Sequence, residues 1–441
     1  MRNILVLGAG RSSSSLISYL LNHAQAGDWH VTVGDFAAQA AAEKVQNHAR
    51  GRSIRFDIND VEASAAAIAE ADVVVSLLPA HLHPLVASHC LALGKHLLNA
   101  SYVSAEMKGF HAEAVSKGLL FLNECGLDPG IDHMSAMQVI DRIRETGGRL
   151  TSFESFTGGL IAPETDPDNP WRYKFTWNPR NVVMAGQSTA KYLQEGKYKY
   201  IPYQQLFKRI TPVQVPGHGN YEGYANRDSL KYIDTYGLAD IRTMLRGTLR
   251  NSGFCASWNL FVQLGCCDDT YEMEGVDKMT HRSFIDSFLE DRGSVPVDQK
   301  LCERFGLAAD AAEIRNLRWS GLFSDAPVGL SKGTPAQVLE HILNKKWKLD
   351  PADKDQIVMW HRFVYEHQGK RKQIQSSLVA TGTDSVHTAM AQTVGLPLAI
   401  AARLLMQKKI AAKGVVIPTT REFYEPVLAE LQQLGIVFSE E

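Results

Sequence analysis

Residues 3–21 read Asn-Ile-Leu-Val-Leu-Gly-Ala-Gly-Arg-Ser-Ser-Ser-Ser-Leu-Ile-Ser-Tyr-Leu-Leu, and this stretch decides the fold. The apolar run over 3–7 predicts a β-strand, Gly8 and Gly10 predict a tight turn, and the spacing of the following apolar residues predicts a helix. A strand, a glycine turn and a helix together present free backbone N–H groups to a phosphate. The two glycines fill the first two positions of the dinucleotide fingerprint, but Ser13 occupies the third, so the motif is incomplete.

The second predicted strand, residues 30–33, ends at Gly34 and Asp35. A carboxylate at this position commonly accepts hydrogen bonds from the adenosine ribose and repels the 2′-phosphate of NADP. No arginine follows Asp35 directly. We therefore predict that the chain binds NAD in preference to NADP.

Further strands alternate with helical segments over the first ~125 residues. These predicted strands span residues 53–57, 72–78, 96–99 and 119–124. The alternation predicts an α/β fold with a Rossmann-like doubly wound parallel sheet. The alternative is a sheet of this kind that holds no dinucleotide.

The composition of the chain changes after Gly147 and Gly148. Short strand-like runs, aromatic residues and prolines follow, and they predict an α+β substrate domain with a helical subdomain. Within that subdomain, the spacing of residues 239–249 predicts a helix. The expected domains are a dinucleotide-binding domain over 1–130 completed by about 390–441, an α+β substrate and dimerisation domain over 131–227 and about 338–389, and a helical subdomain over 228–337.

Composition limits the possible partners and compartment. The formal net charge of −2 provides no basic surface for nucleic acid. The six cysteines show no CxxC spacing, which favours reduced thiols and a cytoplasmic location. We expect no membrane contact, because no uninterrupted apolar run reaches about 18 residues. His81 and His83 form an H-x-H pair, but they begin a predicted helix and lack matching ligands, so we expect no metal site.

Polar residues follow two predicted strands at the sheet edge where a nicotinamide would lie. They are residues 76–79 (Ser-Leu-Leu-Pro) and 99–102 (Asn-Ala-Ser-Tyr). Ser101 and Tyr102 would contact the cofactor there, or would be a helix N-cap and a packed aromatic residue. Arginines concentrate in residues 226–229 and 246–250, where they would bind carboxylates or form surface salt bridges.

Several separated blocks, in the same order along nearly the whole chain, resemble the saccharopine dehydrogenases of the L-glutamate-forming type, also called saccharopine reductases. The blocks are residues 101–104 (SYVS), 126–133 (GLDPGIDH), 158–164 (GGLIAPE), 173–177 (YKFTW), 226–229 (NRDS) and 246–250 (RGTLR). The resemblance implies a homodimeric oxidoreductase that interconverts saccharopine with L-glutamate and 2-aminoadipate 6-semialdehyde. A nicotinamide dinucleotide would take or give the hydride, and water would cleave the imine.

The resemblance also implies a place in metabolism. Gly34 and Asp35 are similar to the cofactor motif of the NAD-using dehydrogenase half of the bifunctional lysine-degrading enzyme, which favours lysine degradation. One alternative is a carboxynorspermidine-type reductase, whose substrate has fewer carboxylates. The other is a non-catalytic dinucleotide-binding protein.

Site residues are carried over from the family position by position. Those that match its substrate contacts are Ser101, Tyr102, Asp128, Arg227, Thr248, Leu249 and Arg250. Those on the cofactor side are Gly8, Gly10, Ser13, Asp35, Gln39, Leu78, Ala100, Ser101, Tyr102, Val103 and Leu127. Asp128 would either act in catalysis or only position the reacting amine. Thr157 stands where the family often has cysteine, so no thiol role is carried over.

Overall fold

The computed structural model describes residues 2–185, 187 and 189–441. Its strands are β1 (Arg2–Leu7), β2 (Trp29–Asp35), β3 (Gly51–Arg55), β4 (Val73–Ser76), β5 (His96–Asn99), β6 (Leu120–Leu122), β7 (Arg149–Ile161), β8 (Ala190–Gln194), β9 (Lys197–Ile201), β10 (Ile210–Val215), β11 (Gly219–Ala225), β12 (Thr243–Asn251), β13 (Asp355–His367), β14 (Lys370–Thr381), β15 (Gly414–Val416) and β16 (Phe438–Glu440). Its α-helices are α1 (Ser14–Asn22), α2 (Ala24–Gly27), α3 (Ala38–Val45), α4 (Val61–Ala69), α5 (His83–Leu93), α6 (Ala105–Gly109), α7 (His111–Ser116), α8 (Ile131–Glu145), α9 (Pro179–Val183), α10 (Tyr203–Leu206), α11 (Lys231–Thr235), α12 (Phe254–Leu264), α13 (His281–Asp286), α14 (Val297–Phe305), α15 (Ala312–Trp319), α16 (Pro335–Trp347), α17 (Ala389–Met406) and α18 (Arg421–Gln433).

The chain divides into two compact units. The first comprises the chain up to Arg149 with His367–Lys370 and Ala380–Ser439, and the second comprises Leu150–Glu366 with Arg371–Val379 and the last two residues. The first unit extends past residue 130, where we placed the domain boundary, because α8 packs against α18 within it. Segment 228–337, predicted as a separate helical subdomain, lies inside the second unit and shares its core.

The first unit contains a parallel sheet with the strand order β15-β6-β5-β4-β1-β2-β3. Each neighbouring pair runs parallel. The central strand β1 is apolar and fully buried from Ile4 to Leu7, as expected of a strand covered on both faces. The order of β1 to β6 is that of a doubly wound dinucleotide-binding sheet. The predicted α/β Rossmann-like fold is therefore confirmed.

The C-terminal part of the chain completes this first unit. Strand β15 adds beside β6 at one end of the sheet, and α17 packs along α1. A Cβ atom at Gly395 of α17 would lie 2.9 Å from the backbone N of Leu16, so the two helices touch backbone to backbone. Helix α17 is long and apolar enough to cross a membrane, but 72% of it is buried inside the protein, as in the core helix of a globular domain.

The second unit contains a mixed sheet with the order β10-β11-β12-β7-β13-β14. Strand β12 pairs antiparallel with β11 and parallel with β7. Residues 239–249, predicted as a helix, therefore lie mainly in a central strand, and that prediction is wrong. Val213 and other buried side chains of the sheet share a core with aromatic rings from outside it, for example Trp347 of α16 and Trp171 of the segment after β7, whose ring centroids are 5.1 Å apart.

Candidate functional site

The turn after β1 has the shape that a dinucleotide pyrophosphate requires. Gly8 has φ +102°, and a Cβ there would lie 3.1 Å from the carbonyl carbon and oxygen of Leu77. Around Gly10 the space for a Cβ is open to 4 Å. Ser13 is buried and donates its hydroxyl proton to the Gly10 carbonyl at 2.7 Å, so the third fingerprint position closes the turn that leads into α1. These residues fit the cofactor, because the turn lets a phosphate approach the helix N-terminus.

The acid at the end of β2 is engaged with backbone. One oxygen of Asp35 accepts from the Ala9 N–H at 2.7 Å and the other from the Ala37 N–H at 2.9 Å. Arg55, the last residue of β3, is its register partner on the neighbouring strand. The Arg55 guanidinium lies 5.3 Å from the ring centroid of Phe36, a residue that is 66% exposed. The edge of the sheet beside Asp35 thus carries a cation and an accessible aromatic ring.

Gln39, a predicted cofactor residue, is exposed near the start of α3. Its amide donates to the Glu43 carboxylate at 3.1 Å.

His83 connects the ends of two strands. Its Nδ1 is 3.1 Å from Ser76 Oγ at the end of β4, and its Nε2 is 2.9 Å from Ser101 Oγ just after β5. The ring is buried, and burial lowers its pKa to about 4, with a further contribution from His81. In the sequence His83 stands out only as one half of an H-x-H pair, whereas in the fold it joins two hydroxyls.

Replacing His83 by glutamine should remove part of the loss of stability in acid. Because an unfolded histidine titrates near pH ~6.5, the unfolded chain binds a proton between about pH 4 and pH 6.5 that the folded chain does not. The stability that depends on the neutral ring is therefore fully present above pH ~6.5 and falls by about 3 kcal/mol as the pH approaches ~4. Urea unfolding of wild type and variant at neutral and mildly acidic pH measures the difference. His89→Gln, on the same helix, is the matched control, and equal acid sensitivity in the wild type and the His83 variant would contradict the expectation.

The turn between β6 and α8 brings Asp128 to Tyr102. The Tyr102 hydroxyl donates to Asp128 Oδ1 at 2.9 Å, and both residues are half-buried, at a surface that a ligand can reach. Gly130, with φ +151°, allows this turn to close, because a Cβ there would lie 2.0 Å from the Gly126 carbonyl oxygen. Leu127, predicted on the cofactor side, is buried in the same turn and its carbonyl accepts from the Asp132 N–H at 3.1 Å.

Glu124 fixes the loop after β5 to this turn. One carboxylate oxygen accepts from the Val103 N–H at 2.9 Å, and the other lies 2.9 Å from His133 Nε2. Its backbone N–H also donates to the Ser101 carbonyl at 3.1 Å. Glu124 and His133 are both buried. The sequence did not identify either residue, although the location of Glu124 at a strand end was a signal, because their role depends on contacts across the turn.

Ala100 and Leu78 follow β5 and β4 at the same edge of the sheet. A Cβ placed on Gly126 would lie 2.9 Å from the Ala100 methyl group, so this small side chain packs directly on the turn. The first unit therefore brings Leu78, Ala100, Ser101, Tyr102, Val103, Leu127 and Asp128 to the carboxyl ends of its strands.

In the second unit, Arg250 is a buried cation surrounded by aromatic rings. Its guanidinium carbon lies 5.0 Å from the ring centroid of Tyr173, 5.8 Å from that of Tyr224 and 5.2 Å from that of Phe254. One Nη atom donates to the Leu249 carbonyl at 2.9 Å. Within residues 2–185, 187 and 189–441, its Nε has no hydrogen-bond partner and no carboxylate forms an ion pair with it. Such a cation is suited to bind an anion brought by a ligand.

The remaining predicted contacts lie on β12 itself and just after β11. Thr248 is the register partner of Thr157 on β7, and the Thr157 hydroxyl is buried with no hydrogen-bond partner in the described part of the chain. Leu249 packs so closely on β7 that a Cβ at Gly158 would lie 2.7 Å from its carbonyl oxygen. Arg227 follows β11, is exposed, and its carbonyl accepts from the Lys191 N–H at 2.7 Å.

Two protein-family models match the chain. One, described as the saccharopine dehydrogenase NADP binding domain, matches residues 4–122. The other, described as the saccharopine dehydrogenase C-terminal domain, matches residues 126–436.

Enzymes that act in the same area of metabolism, by their names, are similar to this chain over almost its whole length. Bovine mitochondrial alpha-aminoadipic semialdehyde synthase is 33% identical over 99% of this chain and 47% of its own length, so the chain spans about half the length of that relative. The saccharopine dehydrogenase (NADP(+), L-glutamate-forming) of Schizosaccharomyces pombe is 31% identical over 100% of this chain and 99% of its own length. The apo structure of histidine-tagged saccharopine dehydrogenase (L-Glu forming) from Saccharomyces cerevisiae superposes with a TM-score of 0.90 at 30% identity and covers 100% of this chain and 99% of its own.

The prediction of NAD as the preferred cofactor is wrong. The matching family model is described as an NADP binding domain, and the fungal relative is named as an NADP(+) enzyme. The physical reason is that Asp35 binds the backbone of Ala9 and Ala37, while Arg55 on the next strand supplies a cation beside it. No arginine follows Asp35 directly, and Arg55 is 20 positions away in the chain.

Proposed function

Because the chain belongs to the saccharopine dehydrogenase family, we propose that it is an NADP-dependent oxidoreductase that interconverts saccharopine with L-glutamate and 2-aminoadipate 6-semialdehyde in lysine metabolism. The observation that carries the proposal is the Tyr102–Asp128 pair, which lies at the strand ends of the cofactor-binding sheet. In open α/β sheets, ligands bind at this edge. The degradative direction is not part of the proposal, because it depended on a preference for NAD.

The reaction determines what the chain's residues must do. NADP⁺, when bound, accepts the hydride that leaves the carbon next to the secondary amine of saccharopine. The resulting imine takes up water, and its cleavage releases glutamate and the semialdehyde. The protein must hold the amine, accept the protons released and restrict the substrate to one orientation.

In this proposal Asp128 holds the reacting amine and Tyr102 holds Asp128. The Tyr102 hydroxyl donates to one carboxylate oxygen, which fixes the rotamer of the acid. A carboxylate favours the cationic state of a nearby amine and can accept its proton. The same geometry would let Asp128 either hold the amine or accept its proton. Measuring kcat and KM of an Asp128 variant distinguishes these two roles.

Arg250 and Arg227 are proposed to bind carboxylates of saccharopine. Thr248 and Leu249 precede Arg250 on β12 and are proposed to contact the same substrate. The buried, aromatic-surrounded guanidinium of Arg250 supports this role, because no acid of the described chain neutralises it. Saccharopine has three carboxylates, whereas the substrate of a carboxynorspermidine-type reductase has fewer. Two arginines therefore favour saccharopine over that alternative.

The direct test is to incubate the purified protein with saccharopine and NADP⁺, record NADPH absorbance and measure glutamate. Formation of the two products in equal amounts is the expected result. Carboxynorspermidine serves as the competing substrate. Tight NADP binding without NADPH formation from either compound would instead indicate a non-catalytic dinucleotide-binding protein.

Arg55 is expected to recognise the 2′-phosphate. Replacing Arg55 by alanine should weaken NADP binding by about 10- to 100-fold, because a charge-assisted hydrogen bond contributes about 1.5–3 kcal/mol. Fluorescence titration with NADPH and with NADH measures the two affinities. Arg52→Ala, on the same strand and paired with Glu70, is the matched control. An equal loss for both cofactors in the Arg55 variant would refute the assignment.

We also propose that the protein is a cytoplasmic homodimer. The free state of all six cysteines supports a reducing compartment. Size-exclusion chromatography with light scattering tests the dimer, and a monomeric mass at micromolar concentration would exclude it.

A further inference from the structure

The two serines that flank His83 differ in their surroundings. Ser76 is buried at the end of β4, and in the described part of the chain its hydroxyl has one hydrogen-bond partner, His83 Nδ1, at 3.1 Å. Ser101 is half-buried, and its hydroxyl likewise has one partner among these residues, His83 Nε2, at 2.9 Å. The imidazole thus separates a buried hydroxyl from one that a ligand can reach.

The buried hydroxyl determines the tautomer of the ring. If the buried Ser76 hydroxyl had no acceptor, its proton would be desolvated and unpaired, which is costly. A lone pair of the Ser76 oxygen that accepts no hydrogen bond costs less. Ser76 therefore donates to Nδ1, and Nδ1 carries no proton. Because burial keeps His83 neutral at neutral pH, the single ring proton lies on Nε2.

The tautomer in turn determines the direction of the outer hydrogen bond. The Nε2–H donates to Ser101 Oγ, so the hydroxyl proton of Ser101 is left to point away from the ring. The backbone keeps Ser101 in place for this role: its N–H donates to Asn99 Oδ1 at 2.9 Å, and its carbonyl accepts from the Glu124 N–H.

We propose that Ser76 and His83 make the Ser101 hydroxyl a hydrogen-bond donor to an acceptor oxygen of the bound ligand, so that His83 is a positioning residue for the reaction. The identity of the ligand rests on the proposed function; the direction of the hydrogen bonds does not. Two ligand groups supply such an oxygen, the carboxamide of the nicotinamide and a carboxylate of saccharopine. A ligand that offered only an N–H group at this point would leave the Ser101 hydroxyl proton without an acceptor and would be disfavoured.

Nitrogen NMR of the ¹⁵N-histidine-labelled protein tests the tautomer without any ligand. His83→Gln identifies the His83 signals by their disappearance. A protonated Nε2 and an unprotonated Nδ1 at neutral pH are expected. Ser76→Ala should remove the preference and give a mixture of tautomers. A proton on Nδ1 in the wild type would overturn the proposal, and this result does not depend on whether saccharopine is the substrate.

Binding measurements test the donor role. Ser101→Ala and His83→Ala should each weaken ligand binding by about 3- to 10-fold, the effect of one neutral hydrogen bond. Glutamine at position 83 should restore most of the loss, because its amide can accept from one serine and donate to the other. Ser88→Ala, an exposed serine on the same helix, is the matched control.

The two sources of the acceptor oxygen give different results. If the acceptor is the carboxamide, the loss is seen in NADP affinity alone, and the thionicotinamide analogue of NADP should bind the Ser101 variant and the wild type with equal affinity. If it is a substrate carboxylate, NADP affinity is unchanged and the KM for saccharopine rises. Both results support the donor role, whereas unchanged NADP affinity together with unchanged KM would overturn it.

Discussion

Replacing Asp128 by asparagine should lower kcat/KM for saccharopine by about 10²- to 10⁴-fold, the range of a general acid–base contribution. Asparagine has the same shape and can still accept the Tyr102 hydrogen bond, so the variant should fold. It lacks the negative charge and cannot accept a proton. The loss should fall on kcat if Asp128 takes the proton, and on KM if it only holds the amine. NADP affinity should be unchanged.

A second tyrosine–aspartate pair in the same unit is the matched control for this experiment. The Tyr424 hydroxyl donates to Asp141 Oδ2 at 2.8 Å, between α18 and α8. Asp141→Asn removes a charge from the same kind of pair and should leave kcat/KM unchanged. Equal activity of the Asp128 variant and the wild type would exclude Asp128 from both roles.

Replacing Arg250 by methionine should preserve or raise the free energy of unfolding but weaken the binding of saccharopine. A buried cation without a paired acid is costly, and an unbranched apolar side chain can fill the space between Tyr173, Tyr224 and Phe254. The free energy of unfolding should therefore be equal to that of wild type or higher by about 1–4 kcal/mol. The KM for saccharopine should rise by about 10- to 100-fold, because a charge-assisted contact with a carboxylate is lost.

Urea unfolding without substrate and steady-state kinetics measure the two effects. Arg227→Ala is the informative comparison, because Arg227 is exposed and its removal should raise the KM for saccharopine without any gain in stability. The KM for NADP should be unaffected in both variants. A less stable Arg250 variant with an unchanged saccharopine KM would show that the arginine serves the fold alone.

Most of the first unit was predictable from the sequence, because strands such as β1, β4 and β6 are short apolar runs that alternate with segments of helical periodicity. Residues 239–249 were not, because the segment has apolar residues at helical spacing and only its pairing with β11 and β7 makes it a strand. Propensity is local, whereas a central strand is stabilised by neighbours that are distant in the chain.

In the candidate site, too, local features were predictable from the sequence and contacts between distant residues were not. Gly8 lies in a turn whose form is set by adjacent residues, and the motif was readable in the sequence. His83 acts through residues 7 and 18 positions away, and Arg55 is placed beside Asp35 by strand register. Because these contacts depend on how strands and helices are arranged in space, spacing along the chain could not reveal them, and the cofactor preference was predicted incorrectly for that reason.

The interrupted first unit has a consequence during protein synthesis. Its last sheet strand, β15, and the helix that covers α1 are encoded after all of the second unit except its last two residues. At ~5–20 residues per second, a ribosome needs roughly 10–50 s to pass from Arg149 to Ala389. Throughout that interval the nascent chain exposes the unpaired edge of β6 and the apolar side of α1, both suitable targets for chaperones. The first unit therefore begins to be synthesised before the second unit and finishes folding after it.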